Sequence, residues 1–465
     1  MVTPHFDLLR AAHEEMLRQG FEPDFPPATE EQLAILKSQP TATVENGVQD
    51  LRHLLWSSID NDSSRDLDQI EVAERVTGGI RVFIGIADVD SDLPLGSPID
   101  QHAAAQTTSV YTAVRVFPML PEVLSTNLTS LSENADRQAI VMDMVIAPDG
   151  SIGSSQIYRA IVRNKAQLTY SGIGPWLEER ATPPLKVDGE LESQLKLQDE
   201  AAGALREQRH RRGALNFDRD EKTRADDLIE DFMVAANEVM ARTLKEHGVS
   251  SIRRVVKSPE RWPRIVQLAA QYGESLPAEP DSGALNAFLN KRREADELHY
   301  ADLSLAVVKL MGPGEYVLSK PNEDDAGHFA LAAHDYTHST APNRRFADLV
   351  TQRLIKALLG QVAAPYSDGE LEQIAQNCTV KEDAARKVER IMNKRVAAVG
   401  LHDRIGESFS AIVTGVTPKG VFVRILNPPV EGRLMRGEHG VDVGDKLQVT
   451  LLATDPERGY IDFGR

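Results

Sequence analysis

Apolar residues recur along the chain at two different spacings, and the changes between them divide the sequence into three regions. Residues 1 to 48 have the spacing of about 3.6 residues that is typical of helices. Residues 49 to 402 mix apolar runs, typical of buried strands, with long amphipathic segments. Residues 403 to 465 form short alternating runs separated by Gly and Pro. We therefore expect an α+β protein with three domains at these boundaries.

The first region predicts a small helical domain. FDLLRAAHEEMLRQG is amphipathic, and a capping box of Thr29 and Gln32 is expected to open the next helix, TEEQLAILK. The dipeptide Asn46-Gly47 then favours a hairpin turn. Two interpretations are open, namely a winged helix, which is a frequent nucleic-acid-binding shape, or a helical arm packed on the body of the protein.

The second and third regions predict a catalytic-sized domain and a barrel. IRVFIGIADVD is typical of a buried strand, QAIVMDMVIAPDGSI of a strand that enters a turn, and DDLIEDFMVAANEVMARTLKEHG of a helix that ends at Gly248. The short strands of ESFSAIVTGVTPKGVFVRIL and DKLQVTLLATDPERGYIDFGR predict a five-stranded β-barrel of the OB type.

Composition narrows the class of protein. The chain lacks a run of about 18 apolar residues and its N-terminus does not have the pattern of a signal peptide, so we expect a soluble, cytoplasmic protein with no membrane partner. Cys378 is the single cysteine, which excludes an internal disulfide and a cysteine-rich zinc site, and we expect it to be buried on a helix. The net charge of −18 argues against nonspecific binding of polyanions, so a nucleic-acid site would need locally concentrated basic residues.

An acidic segment, SSIDNDSSRDLDQIEV from Ser57 to Val72, permits three interpretations. An EF-hand loop is disfavoured, because its sixth position needs Gly and carries Arg65, and because the following residues are typical of two strands joined by a Gly-Gly turn. A solvated acidic turn is the ordinary outcome for a run of charges. The third interpretation gathers the carboxylates around Mg²⁺, which would polarise a phosphate and activate water. The ligands in that case are Asp60, Asp66 and Asp68.

A distant segment, HDYTHSTAPNRRFADLVTQRLIKALLG, favours the magnesium interpretation. Pro342 suits the first turn of a helix that runs to Gly360, and Arg344 and Arg345 are expected in that turn. Cations there oppose the helix dipole unless an anion also binds, and two guanidinium groups at a helix N-terminus suit a phosphate. The alternative is an ordinary ion pair between Arg344 and Asp348.

Taken together, the motifs resemble the ribonuclease II family of exoribonucleases, which share the catalytic RNB domain. DLRHLLWSSIDNDSSRDLDQIEV, IGIADVDSDLPLGSPIDQHA, TSVYTAVRVFPMLPEVLSTNLTSL, RGALNFD, LIEDFMVAANEV and YTHSTAPNRRFADL follow in family order, and the C-terminal region resembles an OB-fold RNA-binding module. The resemblance implies a monomeric enzyme that degrades single-stranded RNA processively from its 3′ end to nucleoside 5′-monophosphates. It also implies one or two Mg²⁺ ions, with Mn²⁺ as a substitute.

The resemblance assigns roles to individual residues. The metal ligands are Asp60, Asp66, Asp68 and Gln69, of which Gln69 stands where the family has a fourth aspartate. The catalytic residues are Asp66, Asp68, Glu230, Arg344 and Arg390, with the two arginines holding phosphate oxygens. The RNA contacts are Tyr111, Phe217, Arg345 and Phe422. Seven basic and four acidic residues between positions 379 and 404 give a local net charge of +3, which fits a helix that contacts phosphates.

A second class of protein stays open, a catalytically weak RNA-binding protein of the same fold. Gln69 removes one negative charge from the metal site, and Gly85 occupies a position where the family commonly has histidine. Individual residues also have structural alternatives: Tyr111 and Phe217 as core aromatics, and Glu230 and Arg390 as solvated helix residues.

Overall fold

The computed structural model describes residues 6–38, 47–217, 222–323, 327–418 and 420–465. Its helices are α1 (Leu8–Arg18), α2 (Pro27–Ser38), α3 (Pro98–Gln106), α4 (Tyr170–Leu177), α5 (Gly189–Arg211), α6 (Arg224–Glu246), α7 (Trp262–Gln271), α8 (Ser282–Ala295), α9 (Glu297–Met311), α10 (Phe346–Leu359) and α11 (Asp368–Gly400). Its strands are β1 (Gln49–Asp50), β2 (Trp56–Asp60), β3 (Gln69–Val76), β4 (Gly79–Ala87), β5 (Val110–Tyr111), β6 (Val116–Phe117), β7 (Asp136–Ile146), β8 (Ile152–Thr169), β9 (Ser251–Val255), β10 (Glu315–Ser319), β11 (Ser408–Thr417), β12 (Gly420–Leu426), β13 (Pro429–Arg436), β14 (Lys446–Asp455) and β15 (Tyr460–Gly464). The fold is α+β, as predicted.

The chain divides into two compact units. The larger unit comprises Pro26–Thr107 and Met119–Thr379, and the smaller unit comprises Met1–Phe25, Thr108–Pro118 and Val380–Arg465. The helix α1 belongs to the smaller unit and α2 to the larger one. The domain boundaries at residues 48 and 402 stay predictions.

A sheet with the strand order β1-β8-β2-β3-β4-β7 forms the centre of the larger unit. The long strand β8 pairs with β7 along its first part and with β2 along its last part. The five strands β8, β2, β3, β4 and β7 are therefore hydrogen-bonded in a closed ring. Residues on both faces of β4 are buried, which explains its continuous apolar run. The predicted Gly-Gly turn between β3 and β4 is confirmed, since Gly78 and Gly79 lie at this hairpin with positive φ.

The N-terminal helices differ in two respects from the prediction. Pro27 opens α2, so Thr29 lies inside the helix and the predicted capping box is wrong. Gln32 instead bonds the Ser97 hydroxyl at 3.0 Å and the Ile99 amide at 2.9 Å, beside α3. Two helices are described among residues 6–38, and Asn46 of the predicted hairpin turn lies outside the described residues. The assignment of α1 and α2 to different units favours the helical arm over the winged helix.

The smaller unit contains the predicted barrel. Its strands close in the order β11-β12-β13-β15-β14, which confirms the five-stranded OB-type prediction, and Val423, Leu434 and Phe463 are buried inside it. A second apolar cluster joins Met16 of α1 to the β5–β6 hairpin and to Met392 of α11. In the larger unit, Cys378 is buried on α11, as expected. Within the described part of the chain, no helix is both long enough and apolar enough to cross a membrane.

Candidate active site

The acidic segment leaves the sheet between β2 and β3. These strands pair only at Ser57 and Glu71, after which residues 61–68 form a loop. Asp60 ends β2, and its Oδ1 accepts hydrogen bonds from the Asn61 amide at 2.7 Å and the Ser64 hydroxyl at 2.8 Å. The Asp60 carboxylate therefore stabilises the turn that leads to Asp66 and Asp68.

Asp68 joins the acidic loop to the second predicted segment. Its side chain is 4% exposed, and Oδ1 accepts from the backbone amide of Asn343 at 3.1 Å and from Asn343 Nδ2 at 2.9 Å. Asn343 lies in the motif STAPNRR, 275 residues along the chain. The structure thus brings together the two segments that the sequence singled out for a metal and a phosphate.

The carboxylates of the loop share one electrostatic environment with Arg344. Burial raises the pKa of Asp68 to about 7. The positive charge of Arg344 lowers this pKa, and the negative charge of Asp66 raises it. Burial also raises the pKa of Asp66, which Arg344 lowers and Asp60 raises. The three carboxylates of Asp60, Asp66 and Asp68 therefore outnumber the single guanidinium group of Arg344. A cation bound here would relieve that excess of negative charge.

The arginine segment forms a tight turn before α10. The amides of Arg344 and Arg345 donate to the Ala341 carbonyl at 3.2 and 3.0 Å, and α10 begins only at Phe346. The prediction that Pro342 lies in the first helical turn is therefore wrong, although the predicted end near Gly360 is confirmed. The turn lets the Asn343 amide face Asp68 instead of entering a helix.

Arg345 and Arg344 have different surroundings. Arg345 Nη2 donates to Asp348 Oδ1 at 2.7 Å, so Asp348, which the alternative interpretation paired with Arg344, pairs with Arg345. The Arg345 side chain is mostly buried, whereas Arg344 is exposed. Arg345 therefore supports the start of α10, and Arg344 presents its charge at the acidic loop. The predicted RNA contact of Arg345 stays a prediction.

Sequence reasoning assigned no role to Glu71. This residue lies on β3 and is fully buried, and neither carboxylate oxygen has a hydrogen-bond partner in the described structure. Burial raises the pKa of Glu71 well above its ordinary value, and the charge of Asp60 raises it further. The signal in the sequence was an acid inside an otherwise apolar strand, IEVA. Gln69, two residues earlier, is partly exposed at the start of the same strand.

The donor groups fit a hard divalent cation. Among the described residues, no three His, Cys, Asp or Glu side chains are grouped closely enough to hold a metal ion by themselves. Mg²⁺, however, is commonly bound by one or two carboxylates and completes its coordination with waters and substrate phosphate oxygens. Asp66 and Asp68 are oxygen donors of this kind, and the positive charge of Arg344 lowers the pKa of both.

Two further predicted residues of the larger unit lie outside the acidic loop. Glu230, on α6, forms an ion pair with Lys222 at 2.9 Å. Phe217 is half-buried and packs against the apolar cluster around Trp262 and Phe288. The side chains of Glu230 and Phe217 therefore both have contacts within the larger unit. Their predicted roles toward RNA stay predictions.

The remaining predicted residues lie in the smaller unit. Tyr111, on β5, is 44% exposed, so it is not a core aromatic, and its amide donates to Glu389 Oε1 at 3.2 Å. Arg390 lines a groove of about 440 Å³ between α11 and the barrel. Phe422 is partly buried on β12, opposite Arg433 of β13. Their predicted contacts with RNA stay predictions as well.

Comparison with known sequences gives the following matches. Residues 48–361 match the RNB domain, and residues 407–465 match the RNase II-type exonuclease C-terminal S1 domain. Ribonuclease R 1 of Lactococcus lactis is 29% identical over 467 residues, which cover 89% of this chain and 56% of the relative. Ribonuclease R of Escherichia coli is 29% identical over 505 residues, which cover 94% of this chain and 60% of the relative. The chain thus spans less than two thirds of these curated relatives.

Solved structures show the same fold. RNase R of Mycoplasma genitalium in complex with ribose-methylated single-stranded RNA has a TM-score of 0.86 at 23% identity, covering 99% of this chain and 78% of that chain. Yeast Ssd1, described as a pseudonuclease, has a TM-score of 0.71 at 16% identity, covering 92% of this chain and 56% of that chain. Because the RNB domain match spans more than half of the sequence, the chain belongs to the RNB-domain family and carries a C-terminal S1 domain of the RNase II type.

Proposed function

We propose that the protein hydrolyses single-stranded RNA processively from its 3′ end and releases nucleoside 5′-monophosphates. The observation that carries this proposal is the meeting of the partly buried Asp66 and the buried Asp68 with the exposed Arg344 in one negatively charged region. Carboxylates that hold Mg²⁺ beside an exposed guanidinium group are suited to phosphodiester hydrolysis. The likeness to proteins named Ribonuclease R supports RNA as the substrate.

The residues of the acidic loop and of the turn before α10 would have different roles in hydrolysis. Asp66 and Asp68 would hold Mg²⁺, with Asp60 and Gln69 beside them, and the ion, when bound, would polarise the scissile phosphate and lower the pKa of an attacking water. Arg344 is exposed, and its guanidinium would donate to non-bridging phosphate oxygens as negative charge develops. Asn343 keeps the Asp68 carboxylate in place through two hydrogen bonds.

Residues of the smaller unit would bind the RNA chain. The exposed ring of Tyr111 offers a face for stacking on the terminal base, since stacking is worth about 1–3 kcal/mol per base. The groove of Arg390 is also lined by Arg386 and Lys394, whose charges suit phosphates, although Glu389 and Glu431 line it too. Phe422 on the barrel would add a second stacking surface.

The second candidate, an RNA-binding protein with little catalysis, rests on Gln69. The pseudonuclease among the structural neighbours shows that the fold by itself does not decide between the two. Gly85 carries less weight, because a Cβ added there would lie 3.1 Å from Ile70 Cγ1 and 3.5 Å from Trp56. Position 85 therefore faces packed apolar side chains, and its glycine is explained by packing.

A degradation assay separates the two candidates. A 5′-labelled single-stranded RNA, incubated with the protein and Mg²⁺, should shorten one nucleotide at a time from the 3′ end, and EDTA should stop the reaction. The Asp68→Asn variant should leave the RNA unshortened, and Asp62→Asn serves as its matched control, because Asp62 is an exposed acid of the same loop that accepts from the Ser171 hydroxyl at 2.8 Å. RNA that is bound but never shortened, under any divalent metal, would support the binding protein instead.

A further inference from the structure

We propose that Asn343 and Thr129 are positioning residues that fix the Asp68 carboxylate, so that one of its oxygens is held by donors and the other is left for a cation or water. The proposal rests on the proposed function and extends it to two side chains outside the predicted site. Both side chains are buried, with Asn343 at 1% and Thr129 at 4% exposure.

Both hydrogen bonds from Asn343 end on the same carboxylate oxygen. The backbone amide and Nδ2 of Asn343 lie 3.1 and 2.9 Å from Asp68 Oδ1. A carboxylate oxygen with two donors has little capacity left for a metal ion, whereas Oδ2 retains its lone pairs. The arrangement therefore selects Oδ2 as the oxygen that faces the reaction, and it restricts rotation of the carboxylate.

Thr129 contacts the oxygen of the Asn343 amide. The Thr129 hydroxyl lies 2.6 Å from Asn343 Oδ1 and 2.9 Å from the Leu124 carbonyl, and the shorter contact is the one to Asn343. A flipped amide would place its oxygen against the Asp68 carboxylate, where two acceptors repel each other. The Asp68 carboxylate thus sets the orientation with Nδ2 toward Asp68, and the Thr129 hydroxyl, by donating to Oδ1, holds the amide in that orientation.

The chain around Thr129 is itself held rigidly. A single π-helical turn, Leu124–Leu128, precedes Thr129, whose amide bonds the Leu124 carbonyl at 3.0 Å. Such turns are rare and are frequent at functional sites. The next residue, Ser130, donates to the Arg65 carbonyl at 2.8 Å and accepts from the Leu67 amide at 3.1 Å. The Thr129 segment therefore supports the acidic loop and the Asn343 side chain together.

Hydroxyl deletion at Thr129 is the sharpest test. Thr129→Val keeps the shape and removes the hydrogen bond, while Thr129→Ser keeps the hydroxyl and should restore the parent behaviour. Thr351→Val is the matched control, because Thr351 is also fully buried and donates to the Ala347 carbonyl at 2.9 Å within α10. Asn343→Leu removes the amide, although the backbone bond to Asp68 remains.

Two measurements report on different steps. Mn²⁺ affinity without RNA, followed by electron paramagnetic resonance, should fall about 10-fold or more in Thr129→Val, the range typical of groups that orient metal ligands. In the hydrolysis assay, kcat should fall while KM for RNA stays within about twofold. Asn343→Leu should show the larger effect, and adding Thr129→Val to it should change little, because both act through one contact.

The outcomes separate this proposal from the proposed function. A parent protein that neither binds Mn²⁺ nor degrades RNA overturns the function and this inference with it. A parent that does both, with Thr129→Val indistinguishable from Thr351→Val, overturns only the positioning role. Equal losses in the two valine variants would indicate general loosening and also overturn it. If Asn343→Leu fails to fold, Thr129→Val and Thr129→Ser still decide the outcome.

Discussion

Replacing Asp68 with asparagine should abolish activity and yet stabilise the metal-free protein. Burial raises the pKa of Asp68 to about 7, about three units above the ordinary value of 3.8. Since one unit corresponds to about 1.4 kcal/mol, holding this carboxylate ionised costs the fold about 4 kcal/mol at pH 8. The neutral amide of the Asp68→Asn variant would keep an oxygen for the Asn343 donors without that cost.

The pH dependence follows from the sign of the shift. Between about pH 4 and pH 7 the folded protein binds the Asp68 proton and the unfolded chain does not, so this group makes stability fall as pH rises. The advantage of Asp68→Asn should therefore be small near pH 4 and largest above pH 7. Melting temperatures in EDTA at pH 5 and pH 8 would measure it, with Asp62→Asn as the control in the same loop.

Activity provides the second half of this prediction. Asp68→Asn removes a carboxylate from the metal site while the two donors of Asn343 stay in place, so RNA binding should persist and hydrolysis should fall by orders of magnitude. Mg²⁺ should raise the melting temperature of the parent but not that of the variant. A variant that degrades RNA, or one that is less stable than the parent at both pH values in EDTA, would refute the reasoning.

Three other predictions concern the substrate, a stacking residue and acid stability. RNA with a 3′-terminal run of 2′-deoxynucleotides should bind but be cut more slowly, because the 2′-hydroxyl distinguishes RNA from DNA, and equal turnover of single-stranded DNA and RNA would contradict this. Tyr111→Ala should leave a longer limit oligonucleotide on a sequencing gel, whereas Val116→Ala, its register partner at 42% exposure, should not. Burial lowers the pKa of His328 to about 4, so stability should fall as pH drops from about 6.5 to 4 and His328→Asn should flatten that fall in thermal melts.

Long, strongly periodic segments were predictable from the sequence. The β3–β4 hairpin, the helix α6 and the C-terminal barrel follow from spacing and turn residues, because in each case local preference and burial agree. Helix starts were less predictable. Pro27 begins α2 ahead of the expected capping residue Thr29, since proline is favoured in the first turn.

The preference of proline for the first helical turn gave a wrong prediction at Pro342, and the reason lies outside the local sequence. The amide of Asn343 bonds Asp68, so the chain turns there and the helix starts four residues after Pro342. In this arrangement Asp348 pairs with Arg345, three residues before it. A contact between residues far apart in the sequence thus decided which arginine is held in the scaffold and which is exposed.

The charges of the site bear on how many metal ions it takes. Asp60, Asp66 and Asp68 carry three negative charges when ionised, and Arg344 offsets one, which leaves −2. Glu71 adds nothing while burial keeps its pKa well above the ordinary value and the group stays protonated. Asp348 is paired with Arg345.

A fourth carboxylate at position 69 would add a charge beside acids whose pKa values burial already raises, and Gln69 avoids that cost while keeping an oxygen donor. We therefore expect the charge of a single divalent ion to balance the site.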